Sequence, residues 1–503
     1  MSLMGVDIGT TGCKAIVFRI GGDVIGQGYR EYPLLQGQNP GWMELNPQAV
    51  WDGVQSAIQE AVARAGNGDP VTAISFSSQG EACTPIDDRG NFLGNSIVTF
   101  DNRTVEQASF FESKLGADRI FQITGMPLHP MHTINKILWW RENQPGVFGK
   151  ARKFLCWEDM AIYKLGGRAA INYSLADRTM AFDVRQERWS EEILGVAGIE
   201  ESLFPEALPS GTVVAPITHA AADSLGLPKK VMLVTGAHDQ PAGALGAGVI
   251  ESGVAMDATG TVECITPAFD HLVLTDEMRR NSYCCYHHAY PGLYCTLAFN
   301  FTGGSLLRWY RDNLGRTEIE EAQISGLDVY DVLLGKASSG PSSILVLPHF
   351  TVTGTPWFDP QSKGVVLGLT LGHTHNDLVK ALLDGVTYEM RLNLDYLEKS
   401  GVVIHHLRAI GGGAKSRVWM QLKADIFNRP VSSLNVSEAA CLGVAMLAGV
   451  ATNIYHNLKE AVSQLVKVKE TYEPQPELAV RYAERYSLYR EMYPLLRDFL
   501  HKC

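Results

Sequence analysis

The sequence has no hydrophobic run long enough to cross a membrane and no excess of positive charge. Its longest weakly polar run, Ala439–Thr452, is shorter than the ~20 apolar residues that a spanning helix needs. Asp and Glu number 54 against 43 Lys and Arg, a formal net charge of −11. An acidic chain has no overall electrostatic attraction to nucleic acid or anionic lipid. We therefore expect neither a membrane nor a nucleic acid as a partner.

Cys-x-x-Cys pairs are absent, although the chain has nine cysteines. An odd number without such pairs argues against a disulfide framework and against a Cys-type zinc site. The opening residues, MSLMGVDIG, run directly into a strand pattern without a basic segment and an apolar one before it, so we expect no signal peptide. These features predict a cytoplasmic protein.

The 503 residues predict two or three domains at roughly 100–200 residues each. A strand–turn–strand pattern at 5–18 is followed by a third strand at 23–32, by a helix over 47–64 that Asn46 caps, and by buried strands at 71–77 and 93–100. Strands that then alternate with helices indicate an α/β domain.

A second hairpin pattern begins the second half of the chain. SGVAMDATGTVECI (252–265) is similar to GVDIGTTGCKAIVF, since Asp257, like Asp7, precedes a turn with Gly and Thr. The position of this segment predicts an internal duplication. We predict an N-terminal domain over 1–248 and a C-terminal domain over 249–503, on which the helical segment 456–503 packs.

The first turn, Asp7 to Lys14, carries groups suited to a phosphate. Its glycines let the backbone approach a phosphate closely, and Thr10, Thr11 and Lys14 add hydroxyl donors and a cation. Asp7, at a strand end, can hold Mg²⁺ through water. The alternative is an ordinary glycine-containing hairpin turn.

Asp239 follows the apolar strand VMLVTG in the segment GAHDQP. Functional side chains lie at the carboxyl ends of strands in open α/β sheets, and an Asp placed there can accept a hydroxyl proton. The alternative is an N-cap for the small-residue helix that follows. The sequence assigns no role to the neighbouring His238.

Three other turns have weaker signals. The glycine-rich turns 301–305 and 411–416 can lie against a nucleotide base or phosphate, or be tight crossovers. The strand ends 77–81 and 99–103 carry the carboxylate, amide and guanidinium groups that a polyhydroxylated ligand needs. Each of these alone is also compatible with a solvated loop.

Taken in order, these segments resemble the FGGY carbohydrate kinases, members of the actin-like, ribonuclease-H-fold ATPase superfamily. The resemblance covers almost the whole chain and rests on these segments: DIGTTGCKA, Thr133–Asn143, Asp159–Trp189, GAHDQ, DATGT and Gly411–Val431. It implies an α/β fold with two ribonuclease-H-like domains flanking a cleft, with ATP and Mg²⁺ as cofactors.

The resemblance also implies residue roles. Asp239 would be the catalytic base, and Asp7 would support Mg²⁺. The residues implied near the ATP phosphates are Thr10, Thr11, Lys14, Gly260 and Thr261. Those implied on the adenosine side are Gly304, Arg308, Gly412 and Ser416. Those implied on the sugar side are Gln79, Glu81, Asp101, Arg103 and Gln240.

Departures from the family pattern bear on the acceptor. Glycerol kinases carry Arg-Glu where this chain has Gly80-Glu81, which disfavours glycerol. Xylulokinases have Gln-Met-His-Gly where this chain reads Gln79-Gly80-Glu81-Ala82, although the D-x-R pattern of Asp101 and Arg103 is kept. We predict an ATP-dependent kinase for a small sugar, a ketopentose first, with a hexulose, aldonate or polyol as alternatives. An actin- or Hsp70-like nucleotide switch is the rival from another class, and a homodimer is expected.

Overall fold

The computed structural model describes residues 1–436 and 438–503. The strands of the first half (residues 1–248) are β1 (Ser2–Ile8), β2 (Gly12–Arg19), β3 (Val24–Glu31), β4 (Leu34–Gln36), β5 (Met43–Leu45), β6 (Val71–Ser78), β7 (Thr84–Ile86), β8 (Ser96–Ile97), β9 (Lys153–Leu155), β10 (Ala170–Asn172), β11 (Phe182–Asp183), β12 (Arg188–Trp189), β13 (Glu206–Leu208), β14 (Val213–Pro216) and β15 (Met232–His238). Its helices are α1 (Pro47–Ala65), α2 (Val105–Leu115), α3 (Ala117–Thr124), α4 (Thr133–Asn143), α5 (Pro145–Phe148), α6 (Trp157–Gly166), α7 (Tyr173–Arg178), α8 (Glu191–Ala197), α9 (His219–Leu225) and α10 (Asp239–Gly246).

The second half (residues 249–503) is built from the same kinds of element. Its strands are β16 (Val254–Thr259), β17 (Glu263–Phe269), β18 (Tyr286–His287), β19 (Tyr294–Cys295), β20 (Ala298–Asn300), β21 (Leu345–Leu347), β22 (Val365–Leu367), β23 (His406–Gly411), β24 (Val431–Leu434) and β25 (Val468–Tyr472). Its helices are α11 (Asp276–Arg280), α12 (Gly304–Asn313), α13 (Arg316–Ser325), α14 (Val329–Gly335), α15 (His375–Lys399), α16 (Arg417–Phe427), α17 (Ala439–Ala451), α18 (Leu458–Leu465) and α19 (Pro476–Leu500).

The predicted opening of the chain is confirmed with small changes of bounds. The hairpin is β1–β2, the third strand is β3, and Asn46 caps α1 by accepting hydrogen bonds from the amides of Gln48 and Ala49. The predicted strand over 93–100 is wrong for most of its length, because only Ser96 and Ile97 pair with a neighbour. Its remaining residues form loops around that short pairing.

The two large sheets repeat one topology. In the first, the order is β14-β15-β6-β1-β2-β3, with β1, β6 and β15 parallel and the others antiparallel to their neighbours. In the second, the strands β25, β24, β23, β16, β17 and β20 follow in the corresponding order and with the corresponding directions. The duplication inferred from the two hairpins is thus present in the strand order.

Two small-residue helices, α10 and α17, pack tightly against each other and contact strands of both sheets between them. A Cβ atom at Gly246 would lie 1.8 Å from the Ala439 carbonyl oxygen, and one at Gly443 would lie 2.1 Å from that of Ala242. Only glycine permits so close a crossing. The crossing holds α10, the helix that begins at Asp239, against α17 of the second half.

The terminal segment 456–503 divides between the two halves. The α19 helix buries four tyrosines against the core of the second half, whereas α18 packs with Leu3, Ile16 and Phe18 of the first sheet. None of the helices in the described part of the chain combines the length and the apolar character that crossing a bilayer requires.

Candidate active site

Asp239 is the first residue of α10, directly after the buried strand β15, and its side chain is 36% exposed. Burial, together with the negative charges of Asp7 and Glu81, raises the pKa of Asp239 to about 7. A carboxylate whose pKa lies near neutrality has the proton affinity that general-base catalysis requires. The N-cap of α10 is His238 rather than Asp239, so the carboxylate is not used as a helix cap.

Buried hydrogen bonds hold the turn before Asp239. The amide of Gly236 donates to Oε1 of Glu158 at 2.6 Å, and the amide of His238 donates to Oγ of Ser174 at 2.9 Å. Ser174 in turn donates to Oδ1 of Asn172. Sequence reasoning missed Glu158 and Asn172, because their role depends on strand ends that meet only in the fold.

The first turn, between β1 and β2, is closed by a hydrogen bond from the Gly9 amide to the Gly12 carbonyl at 3.0 Å. Thr10 donates to Oε1 of Gln79 at 2.8 Å, and Nε2 of Gln79 donates to the Gly9 carbonyl at 3.2 Å. Gln79 is thus buried and supports the first turn, although the sequence placed it on the sugar side. The side chain of Thr11 is exposed.

Lys14 and Asp7 lie beside this turn. Nζ of Lys14 is 2.6 Å from Oε1 of Glu438, which precedes α17, and each side chain is about one-third exposed. Oδ1 of Asp7 accepts a hydrogen bond from Ser77 at 2.7 Å. Burial raises the pKa of Asp7, and Ser77 opposes that shift. Within the part of the chain that the structure describes, no hydrogen bond is made to Oδ2 of Asp7.

A cavity of about 650 Å³ opens in the second half beside the turn between β16 and β17. The amide of Gly304, at the start of α12, donates to the Gly260 carbonyl at 2.8 Å and so fixes α12 against that turn. The cavity brings together the residues predicted for the nucleotide from this half: Gly260, Thr261, Gly304, Arg308, Gly412 and Ser416. Further lining comes from Lys415 of the turn 411–416, and from Asp328, Tyr330 and Trp419, for which the sequence predicted no site role.

A buried lysine supports the same turn from behind. Nζ of Lys423, on α16, lies 2.6 Å from Oδ2 of Asp257, 2.8 Å from Oε1 of Glu263 and 2.6 Å from Oγ1 of Thr259. The lysine and both carboxylates have 0% exposed side chains. Burial raises the pKa of Glu263 to about 7, and the neighbouring charge of Asp257 adds to that shift. Asp257, the counterpart of Asp7 in the sequence, therefore pairs with a buried lysine and is not exposed to the cleft.

Glu81 lies in a buried ion pair with Arg178 and accepts a hydrogen bond from Thr99 at 3.0 Å. Its backbone has a φ of 59°, in the left-handed region, and Lys136 donates to its carbonyl oxygen at 2.8 Å. Arg178 also borders a cavity of about 90 Å³ whose walls come from both halves, including His129, Met131, Phe299 and Phe358. Most of the side chains that line this cavity are apolar, and Arg178 connects it to Glu81.

Asp101 and Arg103 are buried together and away from solvent. Nη2 of Arg103 is 2.7 Å from Oδ2 of Asp101, Nη1 is 2.7 Å from Oε1 of Glu44, and the guanidinium carbon lies over the rings of Trp42 and Trp139. The side chains of Arg103 and Asp101 are 1% and 0% exposed. The predicted contact of this pair with an acceptor has no support in the geometry, because the pair satisfies its own charges.

Gln240 follows Asp239 on α10 and is half-buried, and its Oε1 is a buried acceptor without a hydrogen-bond partner among the described residues. An unpaired amide oxygen beside Asp239 has a free lone pair that a ligand hydroxyl can bind.

These features define a two-domain phosphotransferase site of the actin-like fold, and comparison with known proteins identifies the family. The model of the FGGY family of carbohydrate kinases, N-terminal domain, matches residues 2–246, and that of the C-terminal domain matches residues 268–452. The chain belongs to the FGGY family of carbohydrate kinases, which are ATP-dependent phosphotransferases with alcohol acceptors.

Relatives with several substrates align over nearly the whole chain. Xylulose kinase of Bacillus subtilis is 27% identical over 99% of this chain and 97% of its own length. Glycerol kinase of Thermococcus gammatolerans is 31% identical over 94% of this chain and 93% of its own length. The structure of xylulose kinase from Lactobacillus acidophilus superposes with a TM-score of 0.90 at 26% identity, over 100% of this chain and 99% of that one. ATP is thus a substrate, and the acceptor is a small sugar.

The pKa of Asp239 predicts how activity depends on pH. Because only the ionised carboxylate accepts a proton, and burial raises its pKa to about 7, kcat/KM for the acceptor should fall as the pH drops through about 7. The measurement is the initial rate at saturating ATP across the acidic and neutral range. Nucleotide affinity titrated over the same range serves as the control. An acid limb near the ordinary carboxylate pKa of about 4 would contradict this prediction.

Proposed function

We propose that the protein transfers the γ-phosphoryl group of ATP to a primary hydroxyl of a ketopentose. The observation that carries this proposal is the Asp239 carboxylate, which has a near-neutral pKa and lies beside Asp7 of the first turn, Glu81 and the unpaired oxygen of Gln240. Two relatives named xylulose kinase, from Bacillus subtilis and Lactobacillus acidophilus, support the choice of sugar.

In the proposed reaction, Asp239 accepts the proton of the acceptor hydroxyl as that oxygen attacks the γ-phosphorus. The bond between the γ-phosphorus and the bridging oxygen breaks, and ADP leaves with the bonding electron pair. Phosphoryl transfer asks the protein mainly for positioning and charge stabilisation. The amides of Thr10, Thr11 and Thr261 and the hydroxyls of Thr11 and Thr261 would bind the phosphates, with the backbone of Gly260 beside them. Lys14 would add a positive charge once a nucleotide competes with Glu438.

Mg²⁺ is the cation that we propose at Asp7. Oδ1 of Asp7 is held by Ser77, which leaves its second oxygen for a hard cation or for a water bound to one. When bound, Mg²⁺ neutralises charge on the nucleotide phosphates. A homodimer in the cytoplasm remains our proposal for the protein's state and location.

An aldonate is the second candidate acceptor. Nη1 of Arg178 lies 3.6 Å from the sulfur atoms of Met126 and Cys284, weak acceptors for a buried guanidinium. A carboxylate at the far end of a sugar acid would be a stronger partner. Gluconokinase of Bacillus subtilis, 29% identical over 99% of this chain, is a relative with such a substrate in its name.

The decisive experiment is ADP release with a panel of pentuloses, hexuloses, aldonates and polyols. We expect one ketopentose to give kcat/KM at least ~10-fold above every other acceptor, the discrimination that about 1.4 kcal/mol provides. An aldonate as the best substrate would replace the ketopentose with the second candidate. Slow ADP release that no sugar stimulates would contradict both.

A further inference from the structure

The imidazole of His238 lies between the catalytic carboxylate and the second half of the protein. Its side chain is 6% exposed. Nδ1 of His238 is 3.1 Å from the hydroxyl of Tyr286, and Nε2 is 3.2 Å from Oδ1 of Asp239. Tyr286 belongs to β18 of the second half. The contacts of His238 with Tyr286 and with Asp239 therefore link the two halves beside the catalytic carboxylate.

The surroundings fix the proton of this imidazole. Burial raises the pKa of Tyr286 well above its ordinary value, so its hydroxyl stays protonated and can donate to Nδ1, 3.1 Å away. Burial, together with the charge of Arg178, lowers the pKa of His238 to about 3, so the ring is neutral. A neutral imidazole that accepts at Nδ1 carries its single proton on Nε2. In this tautomer the proton is on the ring nitrogen that lies 3.2 Å from Oδ1 of Asp239.

The ring occupies space that depends on Gly80. A Cβ atom at position 80 would lie 3.0 Å from Nε2 and 3.1 Å from Cδ2 of His238. The other charged groups beside His238 are Arg178, whose guanidinium lies 5.6 Å from the Tyr286 ring centroid, and Glu81, which is paired with that arginine. Glu81 is therefore engaged by Arg178, and the carboxylate beside Nε2 is that of Asp239.

Oδ1 of Asp239 is buried and, among the described residues, has no completed hydrogen bond. The 3.2 Å contact from Nε2 falls short of a well-aligned bond. Catalytic hydrogen bonds are often poorly aligned in an unliganded enzyme and tighten in the complex with substrate. Leaving a buried carboxylate oxygen without a hydrogen-bond partner costs free energy. That cost favours a well-aligned hydrogen bond from Nε2 of His238 to Oδ1 of Asp239.

We propose that His238 is a positioning residue: its Nε2–H binds Oδ1 of Asp239, so that Oδ2 faces the acceptor hydroxyl, and Tyr286 sets the tautomer that makes this possible. The inference rests on the proposed role of Asp239 as the base. It adds a group that orients the base and that depends on contact between the two halves.

The test compares His238→Leu with His238→Gln, whose amide nitrogen can reach the place of Nε2. We expect His238→Leu to lower kcat by about 10- to 100-fold, the worth of a hydrogen bond to a charged group. KM for the acceptor and affinity for ATP should change by less than about threefold, since neither ligand loses a contact. His238→Gln should recover most of the loss in kcat.

Two further variants keep the test decisive. Tyr286→Phe removes one hydroxyl and leaves the tautomer unfixed, so kcat should fall by about three- to tenfold even if His238→Leu proves unstable. His288→Gln is the matched control, because that buried ring accepts the Tyr290 amide instead and should leave kcat unchanged. Melting temperatures of all variants separate misfolding from lost turnover.

The outcomes distinguish this inference from the proposed function. Normal kcat in folded His238→Leu or Tyr286→Phe overturns the inference, as does a His238→Gln enzyme no better than His238→Leu. Near-normal turnover in Asp239→Asn, measured in the same series, would instead overturn the role of Asp239 itself.

Discussion

Replacing Asp239 with asparagine is expected to lower kcat by about 10²- to 10⁴-fold, the usual contribution of a general base. The amide has nearly the same shape as the carboxylate but cannot accept the hydroxyl proton. ATP binding should persist, because the cavity that holds the predicted nucleotide contacts belongs to the second half. The measurements are steady-state ADP release and an equilibrium titration with nucleotide.

The same substitution at Asp52 gives a matched control. Asp52 is an exposed residue of α1 that accepts a hydrogen bond from Gln48 four residues earlier. Asp52→Asn should therefore keep normal turnover. An Asp239→Asn enzyme within about tenfold of wild type, or one that has lost ATP affinity in parallel with kcat, would remove the general-base assignment.

Replacing Lys423 with methionine is expected to lower the free energy of unfolding by about 3–5 kcal/mol, because it leaves two buried carboxylates without a cation. The lysine and both acids have 0% exposed side chains, so water cannot compensate for the lost charge. Thr259, at the start of the β16–β17 turn, also loses a hydrogen bond. We therefore expect weaker ATP binding along with a lower melting temperature.

The triple variant Lys423→Met, Asp257→Asn, Glu263→Gln tests the cause. It removes the unpaired charges as well as the lysine, so it should be more stable than Lys423→Met alone. Lys399→Met, at the exposed end of α15, should leave the melting temperature almost unchanged. If Lys423→Met melts like wild type, the buried cluster does not support the turn.

The sequence predicted what depends on local pattern. The period-2 strands and the Gly-Thr turn of the first hairpin identify themselves within about twenty residues, and their second occurrence predicts the repeated sheet. The glycine-rich turns predicted residues that line the cavity of the second half, since backbone close to a ligand needs small residues. Short loops such as 93–100 were mispredicted because a run of β-forming residues does not show whether a pairing partner is present.

By itself, the sequence determined the class of fold and predicted Asp239 as the base and the Gly-Thr turns as phosphate contacts, because each of these features is built from residues close together in the chain. Only the tertiary structure decided how the polar side chains are used. Asp101 and Arg103 neutralise each other between two indole rings, and Gln79 holds the first turn. Lys14 meets Glu438 from 424 positions away, and His238 meets Tyr286 from the other half. Burial and charge partners set these roles, and both depend on contacts that no local pattern records.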